Sequence, residues 1–181
     1  MTTALLLLFL AVAALLAYAA TRPANFTVRR EIAVAAPPEA IFPFVTDFRQ
    51  WALWSPYEKL DPAMQRTFGG APSGKGAIYG WSGTGKAGAG RMEITDAPPS
   101  SRVTIKLDFI KPFEGHNIAT ISFEPAGGAT RIVWAMEGPS PFMMKLMGIF
   151  LNLDQMIGRD FETGLANLKA VAEAKAQEPN T

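Results

Sequence analysis

The chain has 181 residues, of which 49% are hydrophobic, so it is long and apolar enough for one domain with a substantial core. Its 17 basic and 16 acidic side chains are interspersed and leave a net charge of +1, so we expect no nucleic-acid partner. With no cysteine and one histidine, disulfides, thiolate catalysis and the usual zinc, iron-sulfur and blue-copper sites are excluded. We expect no metal site and no cofactor.

The N-terminal segment, residues 1–22, stands apart from the rest of the chain. Residues 4–20 carry no charged or strongly polar side chain, a run at the lower limit of length for crossing a bilayer. Because no basic side chain precedes this run, we favour a single-pass membrane anchor over a cleaved export signal. Ala17 and Ala19 nevertheless fit the small-x-small cleavage rule. A buried soluble helix is the weakest alternative, because the run is apolar on all sides.

The side of the membrane is left open by the flanking charges. Arg22, Arg29 and Arg30 follow the apolar run, and the positive-inside rule would then place the domain in the cytoplasm. Only the terminal amine stands against them on the other side, which is a weak basis for orientation.

The domain begins with a strand and two short helices. Residues 26–34 alternate between apolar and polar, and Arg30 falls on the apolar face, at the strand's rim or pointing into the interior. A proline-initiated helix is predicted over residues 37–48 and a second helical piece over residues 49–53, ended by Pro56.

Six strands separated by glycine-rich turns are predicted next. Each alternates apolar and polar side chains, which is typical of an antiparallel sheet with one buried face. They cover residues 64–68, 77–82, 88–95, 102–109, 117–124 and 130–137.

A long amphipathic helix is predicted over residues 154–174. Its apolar stripe consists of Ile157, Phe161, Gly164, Leu165, Leu168, Val171 and Ala172. Because strands precede it, its natural partner is the concave face of the sheet, an α+β arrangement that often leaves a cavity between the two. We assign residues 23–176 to the domain and expect residues 177–181 to be a disordered tail.

Two glycine-rich segments look like nucleotide-binding motifs but are predicted to be turns. Gly83, Gly85 and Gly88 have the dinucleotide spacing, yet a strand pattern follows where a helix would have to begin. Residues 69–75 approach a phosphate loop, but Gly76 stands in place of the required Ser or Thr.

No catalytic residue set emerges from the acidic residues or the histidine. His116 is predicted to face solvent, and no nucleophile elbow accompanies it. The carboxylates that could act as acid or base are Asp47, Glu58, Glu93 and Glu114, each of which is also an ordinary surface charge.

Aromatic and thioether side chains on the predicted inward faces are the candidate ligand contacts. Flat rings and flexible methionines suit a pocket for an apolar ligand, and they suit a solid core equally well. The candidates are Trp54, Tyr79, Trp81, Met92, Phe109, Trp134, Met136, Phe161 and Leu165. A further cluster, Met143, Met144 and Met147, precedes the long helix.

Several stretches together resemble the START-like helix-grip superfamily, and more narrowly its polyketide cyclase/dehydrase and lipid-transfer (SRPBCC) group. They are residues 47–57, 90–95, 123–130 and 146–165. The resemblance runs from about residue 26 to residue 174 and implies a curved antiparallel sheet gripping the C-terminal helix over an apolar cavity. It implies no activity, because members of this fold bind lipids, sterols and polyketides and only some are catalysts.

Three functional hypotheses follow. The leading one is a membrane-tethered domain that binds a hydrophobic small molecule or lipid and performs no chemistry. The alternative is a cyclase, dehydratase or hydrolase in which a cavity carboxylate or Arg30 polarises a carbonyl group. A polar pair deep in the pocket would favour the enzyme. The third and weakest is a structural envelope protein with a filled core.

Overall fold

A computed structural model describes residues 2–177. Helix α1 (Thr2–Thr21) leads into strand β1 (Asn25–Val34), then α2 (Pro38–Thr46), a 3-10 turn (Phe48–Gln50), α3 (Trp51–Trp54) and a second 3-10 turn (Pro56–Lys59). The strands β2 (Gln65–Gly70), β3 (Ala77–Ser82), β4 (Ala89–Asp96), β5 (Arg102–Lys111), β6 (Gly115–Ala126) and β7 (Ala129–Pro139) follow. Helices α4 (Phe142–Phe150) and α5 (Leu153–Gln177) complete the fold.

The strands form one curved antiparallel sheet in the order β1-β7-β6-β5-β4-β3-β2. β2 to β7 are a meander, and β1 closes the far edge by pairing with β7, with Val28 opposite Met136. Register shifts at both ends of β4 against β5 mark irregularities of the kind that bend a sheet. The α+β helix-grip fold expected from the sequence is confirmed.

Helix α5 packs along β1 and against α2 and α3. Its predicted apolar stripe is confirmed, because Phe161, Leu165 and Leu168 are fully buried while Glu162 and Ala166 on other faces are exposed. The inward positions of the sheet and the apolar faces of α2 and α3 join this stripe in one core cluster.

Two chain segments differ from the predicted pattern. Helix α4 was not predicted, because eight of its nine residues are apolar or glycine and no polar face marks a helical period. Helix α5 continues through Gln177, so the first residue of the predicted tail is helical, and residues 178–181 lie outside the described range.

Candidate functional site

A row of contacting aromatic rings runs through the interior from the middle of the sheet to α5. Neighbouring ring centroids are 4.1 to 6.1 Å apart. In order, the aromatic row is Phe109, Trp81, Tyr79, Phe48, Trp51, Trp54, Trp134 and Phe161. Strand alternation brings Tyr79, Trp81 and Trp134 to the concave face.

Two glycines allow the large rings of this row to lie flat against their neighbours. A Cβ at Gly164 of α5 would stand 2.8 Å from Cζ3 of Trp134, too close for any other residue without a shift. A Cβ at Gly90 of β4 would overlap the ring of Trp81. Gly164 falls on the predicted buried stripe, but nothing in the sequence indicates which ring it faces.

The structure brings all nine candidate ligand contacts into one connected cluster. Two of them, Trp81 and Phe109, are only half-buried and mark an open end of the row. The seven buried residues are Trp54, Tyr79, Met92, Trp134, Met136, Phe161 and Leu165.

The end of the row at α5 is closely packed. Trp134 and Phe161 stack with centroids 4.1 Å apart and planes only 5° from parallel. Trp51 and Trp54 each donate their indole N–H to a backbone carbonyl of α2, at Val45 and Phe44. The indole N–H of Trp134 is different, because within residues 2–177 no group accepts its hydrogen bond. An unpaired buried donor typically costs about 1–3 kcal/mol.

A carboxylate fastens the loop beside the open end. Both the backbone N–H and the hydroxyl of Thr84 donate to Oδ2 of Asp61, at 2.7 and 3.0 Å. The backbone N–H of Ala63 donates to the other oxygen at 2.9 Å. These hydrogen bonds lower the pKa of Asp61 below its ordinary value, with the largest contributions from the backbone N–H groups of Thr84 and Ala63. The glycine-rich segment 83–88 is therefore a held turn between β3 and β4, as predicted.

A partly buried polar cluster lies beside the aromatic row at Tyr79. The hydroxyl of Tyr79 donates to Oε1 of Glu58 at 2.5 Å, and Nε of Arg66 donates to Oε2 at 2.6 Å. Arg66 also donates to the backbone carbonyls of Glu58 and Met64, both at 2.8 Å. Burial first, and then the bond to Glu58, raise the pKa of Tyr79 above its ordinary value. Glu58 was a sequence candidate, whereas Arg66 was missed because its partner lies on a different element.

A second carboxylate, Asp160, lies in the first half of α5 without a comparable partner. Among residues 2–177 no side chain forms a hydrogen bond or ion pair with it. Burial raises the pKa of this carboxyl, and the charge of Lys86 on the β3–β4 turn opposes the shift. Burial, together with the charge of Asp160, raises the pKa of the Tyr57 hydroxyl. No pattern in the sequence singles out Asp160.

Arg30 lies at the rim of the sheet, which is one of the two positions predicted for it. Its guanidinium bonds Asp154 at 3.0 Å and Glu162 at 2.7 Å, both on α5. A Cβ at Gly158 would overlap the guanidinium, so glycine allows Arg30 to lie against the helix. Arg30 is therefore a clamp between β1 and α5.

The remaining candidates are exposed or make only local contacts. Asp47 caps the first 3-10 turn by accepting from the Arg49 N–H, and Glu93 pairs with Arg91 at 2.7 Å. Glu114 is exposed. His116 is exposed as predicted and bonds Asp108 at 2.7 Å, which lowers the pKa of Asp108. No group of three metal-ligating side chains occurs among the described residues.

Two surface depressions lie at the end of the sheet where the strands β1 and β7 meet α1 and α4. The larger, about 530 Å³, is bordered by residues following α1, by the start of β1 and by α4. The smaller, about 300 Å³, lies beside His116 and Glu137. Neither is lined by a member of the aromatic row.

Comparison with known families decides the identity of this domain. The model of the family described as Polyketide cyclase / dehydrase and lipid transport matches residues 25–173. The chain belongs to this family. Membership in the polyketide cyclase/dehydrase family supports hydrophobic-ligand binding as the general function. No curated protein sequence matches the chain.

Solved structures agree with this family's fold. Protein CV1439 from Chromobacterium violaceum is 17% identical with a TM-score of 0.59, over 81% of this chain and 96% of that one. MLL2253 from Mesorhizobium loti is 15% identical with a TM-score of 0.61, over 82% and 98%. TTHA0849 from Thermus thermophilus is 18% identical with a TM-score of 0.58, over 84% and 100%. At these identities the likeness establishes the fold alone.

Proposed function

We propose that this polyketide cyclase/dehydrase-family domain binds a hydrophobic small molecule or lipid between the sheet and α5 while α1 tethers it to a membrane. The observation that carries the proposal is the indole N–H of Trp134, a buried donor inside a row of aromatic rings that finds no acceptor within residues 2–177. A mostly apolar ligand with one well-placed acceptor would satisfy this donor, and the rings would supply its apolar contacts.

The nine candidate residues would form the ligand contacts in this proposal. The ligand would enter at the half-buried end, beside Trp81 and Phe109, and displace side chains rather than fill a preformed void. Burying about 500 Å² of apolar ligand surface would contribute roughly 12 kcal/mol at ~25 cal/mol per Å², of which about 4 kcal/mol or more is lost to the entropic cost of association.

The tether in this proposal is α1. None of its 20 residues is charged, the helix is long and apolar enough to cross a membrane, and only Ala19 is buried. At about 1.5 Å per residue, a helix of this length measures close to the hydrocarbon thickness of a bilayer. We favour an uncleaved anchor over a cleaved signal because α1 contacts α4 in the folded chain.

Titration with an apolar fluorescent probe tests the ligand site. We expect saturable binding of micromolar strength or better, about −8 kcal/mol. Ala119→Phe, on the concave face between Ile105 and Met136, should abolish binding because the added ring occupies volume that the ligand would have to enter. Ile118→Phe is the matched control, because Ile118 is the adjacent residue on the opposite, exposed face.

The role of the Trp134 donor has its own variant. Trp134→Phe keeps an aromatic ring and removes the N–H, so a ligand with an acceptor should bind the variant about tenfold more weakly than the parent. A pure hydrocarbon should bind the two proteins equally well. If the natively folded domain shows no saturable binding across fatty acids, sterols and aromatic polyketides, the binding proposal fails.

The enzyme alternative draws on the buried pair of Tyr79 and Glu58. Every oxygen of this pair is already engaged, by Arg66 or by the partner, so neither group is free to exchange a proton with a substrate. We therefore assign the cluster to holding the second 3-10 turn against β2 and β3, and favour binding without chemistry.

A further inference from the structure

Helix α4 exposes a continuous apolar face that nothing in the described chain covers. None of its nine residues is buried, and its single charged residue is Lys145. The exposed apolar residues of α4, of the residue after it and of the first turn of α5, here called the α4 face, are Phe142, Met143, Met147, Phe150, Leu151 and Met156. Phe150 is 71% exposed and Met143 is 63% exposed.

Such a short helix requires stabilisation from an apolar partner. Isolated helices shorter than about 12–15 residues are marginal in water, and most helical stability in proteins comes from packing of an apolar face. Lone exposed apolar side chains are common, but a contiguous patch of large ones marks an interaction surface. The α4 face is such a patch.

The position of α4 identifies what covers this face. α4 contacts α1, whose apolar side chains are exposed along nearly its whole length. The residues that follow α1 border the same groove as α4, with Arg22 and Pro23 on one side and Met144 and Lys145 on the other. An apolar face beside the end of a membrane span is placed at the depth of the bilayer surface.

The charges around the groove fit the same environment. Arg22 and Lys145 place two cations at the level where anionic headgroups would lie. The one acidic residue on the groove, Asp154, is paired with Arg30 at 3.0 Å and so does not leave an uncompensated negative charge there.

We propose that α4 is an interfacial helix, with the α4 face buried in the headgroup and acyl boundary of the bilayer that α1 spans. It is a second membrane contact, next to the anchor, and it fixes the orientation of the domain. One end of the sheet, where β1 begins and β7 ends, then faces the membrane, while the β6–β7 turn points away. The inference rests on the proposed membrane anchor.

Single cysteines test it in the full chain, which contains no native cysteine. Met147→Cys and Phe150→Cys report on the α4 face, Leu10→Cys on α1, and Ala126→Cys on the exposed β6–β7 turn as the matched control. Each variant is labelled with an environment-sensitive fluorophore and reconstituted into nanodiscs containing phosphatidylglycerol. The quenchers are lipids with a nitroxide near the headgroup or near the chain end, and aqueous iodide.

We expect the labels at Met147 and Phe150 to lose most of their emission to the shallow nitroxide and little to iodide, since an interfacial helix buries its face about 5–10 Å deep. The label at Ala126 should respond only to iodide. The label at Leu10 should respond to the deep nitroxide.

Each other pattern has a distinct meaning. If Leu10 is quenched by lipid while both α4 labels respond to iodide, the anchor stands and the interfacial helix is refuted. If the α4 labels are shielded from lipid and iodide alike, a protein surface covers the face, and the inference is equally refuted. If no label is quenched by lipid, both the anchor and the inference fail. Quenching of the α4 labels without that of Leu10 would show that α4 touches the membrane while α1 does not span it, which would overturn both the anchor and the inference that α4 lies beside a membrane-spanning α1.

Discussion

Helices α4 and α5 follow each other in the chain, yet their apolar residues lie in opposite environments. On α5, Phe161 is 2% exposed and stacks on Trp134. On α4, Phe150 is 71% exposed and packs against no other aromatic ring among the described residues. The difference arises because α5 lies along the concave sheet, whereas α4 lies beside α1 at the end of the sheet.

This comparison separates two kinds of apolar surface. The stripe of α5 is covered by the domain itself and contributes to folding. The face of α4 contributes to folding only if something outside the described chain covers it. Substitutions in α5 should therefore change the free energy of unfolding, and matching substitutions in α4 should not.

The largest effect is expected from Leu168→Asp. Leu168 is fully buried at the centre of the α5 stripe, so the variant combines a lost apolar side chain with an unpaired charge in the core. The cost should exceed about 5 kcal/mol, comparable with the whole stability of a domain. Circular dichroism should show an unfolded chain, and Ala166→Asp on the exposed face of the same helix should melt like the parent. A Leu168→Asp variant that remains folded would contradict the helix-grip core.

The comparison is sharpest for the pair Phe161→Ala and Phe150→Ala. Removing the Phe161 ring should cost roughly 3–5 kcal/mol, because the stacked neighbour Trp134 loses its contact and a cavity remains. Removing the Phe150 ring should change stability by less than about 0.5 kcal/mol in detergent-solubilised protein. Urea unfolding followed by tryptophan emission measures both. Equal costs would show that α4 belongs to the folded core.

A smaller effect, with the opposite sign, is expected at Asp160. Burial raises the pKa of this carboxyl in the folded state, so its ionised form destabilises the fold at neutral pH. Asp160→Asn should therefore raise the urea midpoint at pH 7. The gain should shrink as the pH falls through the raised pKa and vanish below the unfolded-state pKa, where both states are protonated. A gain that is independent of pH would exclude this electrostatic cause.

The smallest effect on folding is expected from removing residues 1–22. Only Ala19 of α1 is buried, so the remaining chain keeps its sheet, α5 and core. The truncated protein should unfold at the same urea concentration as the full chain in detergent. It should also be recovered in the soluble fraction without detergent. Aggregation of an unfolded truncated chain would mean that α1 belongs to the core.

Sequence periodicity predicted most of the secondary structure. In β5, Val103, Ile105 and Leu107 alternate with polar residues, which is the pattern of a strand with one buried face and one exposed face. The same logic located the α5 stripe and the inward face of Trp134. Local chemistry also identified the glycine segments as turns, since no helix pattern followed them.

Periodicity carried no information about α4, where every position but one is apolar or glycine. A helical period becomes visible only when a polar face alternates with an apolar face, and α4 has no polar face. The Met143, Met144 and Met147 cluster was visible in the sequence, but its exposure and its position beside α1 were not.

The candidate site also has some properties that the sequence predicts and others that only the structure shows. The sequence by itself determined that Trp54, Tyr79, Trp134 and Phe161 turn to one interior, because each side chain's direction follows from the period of its own element. Only the tertiary structure decided that Glu58 is bonded by Tyr79 and Arg66, and that within residues 2–177 the indole of Trp134 has no acceptor and Asp160 has no hydrogen-bonding partner. Those properties depend on atoms brought together from distant parts of the chain by the sheet and α5, and no local pattern specifies distances between elements.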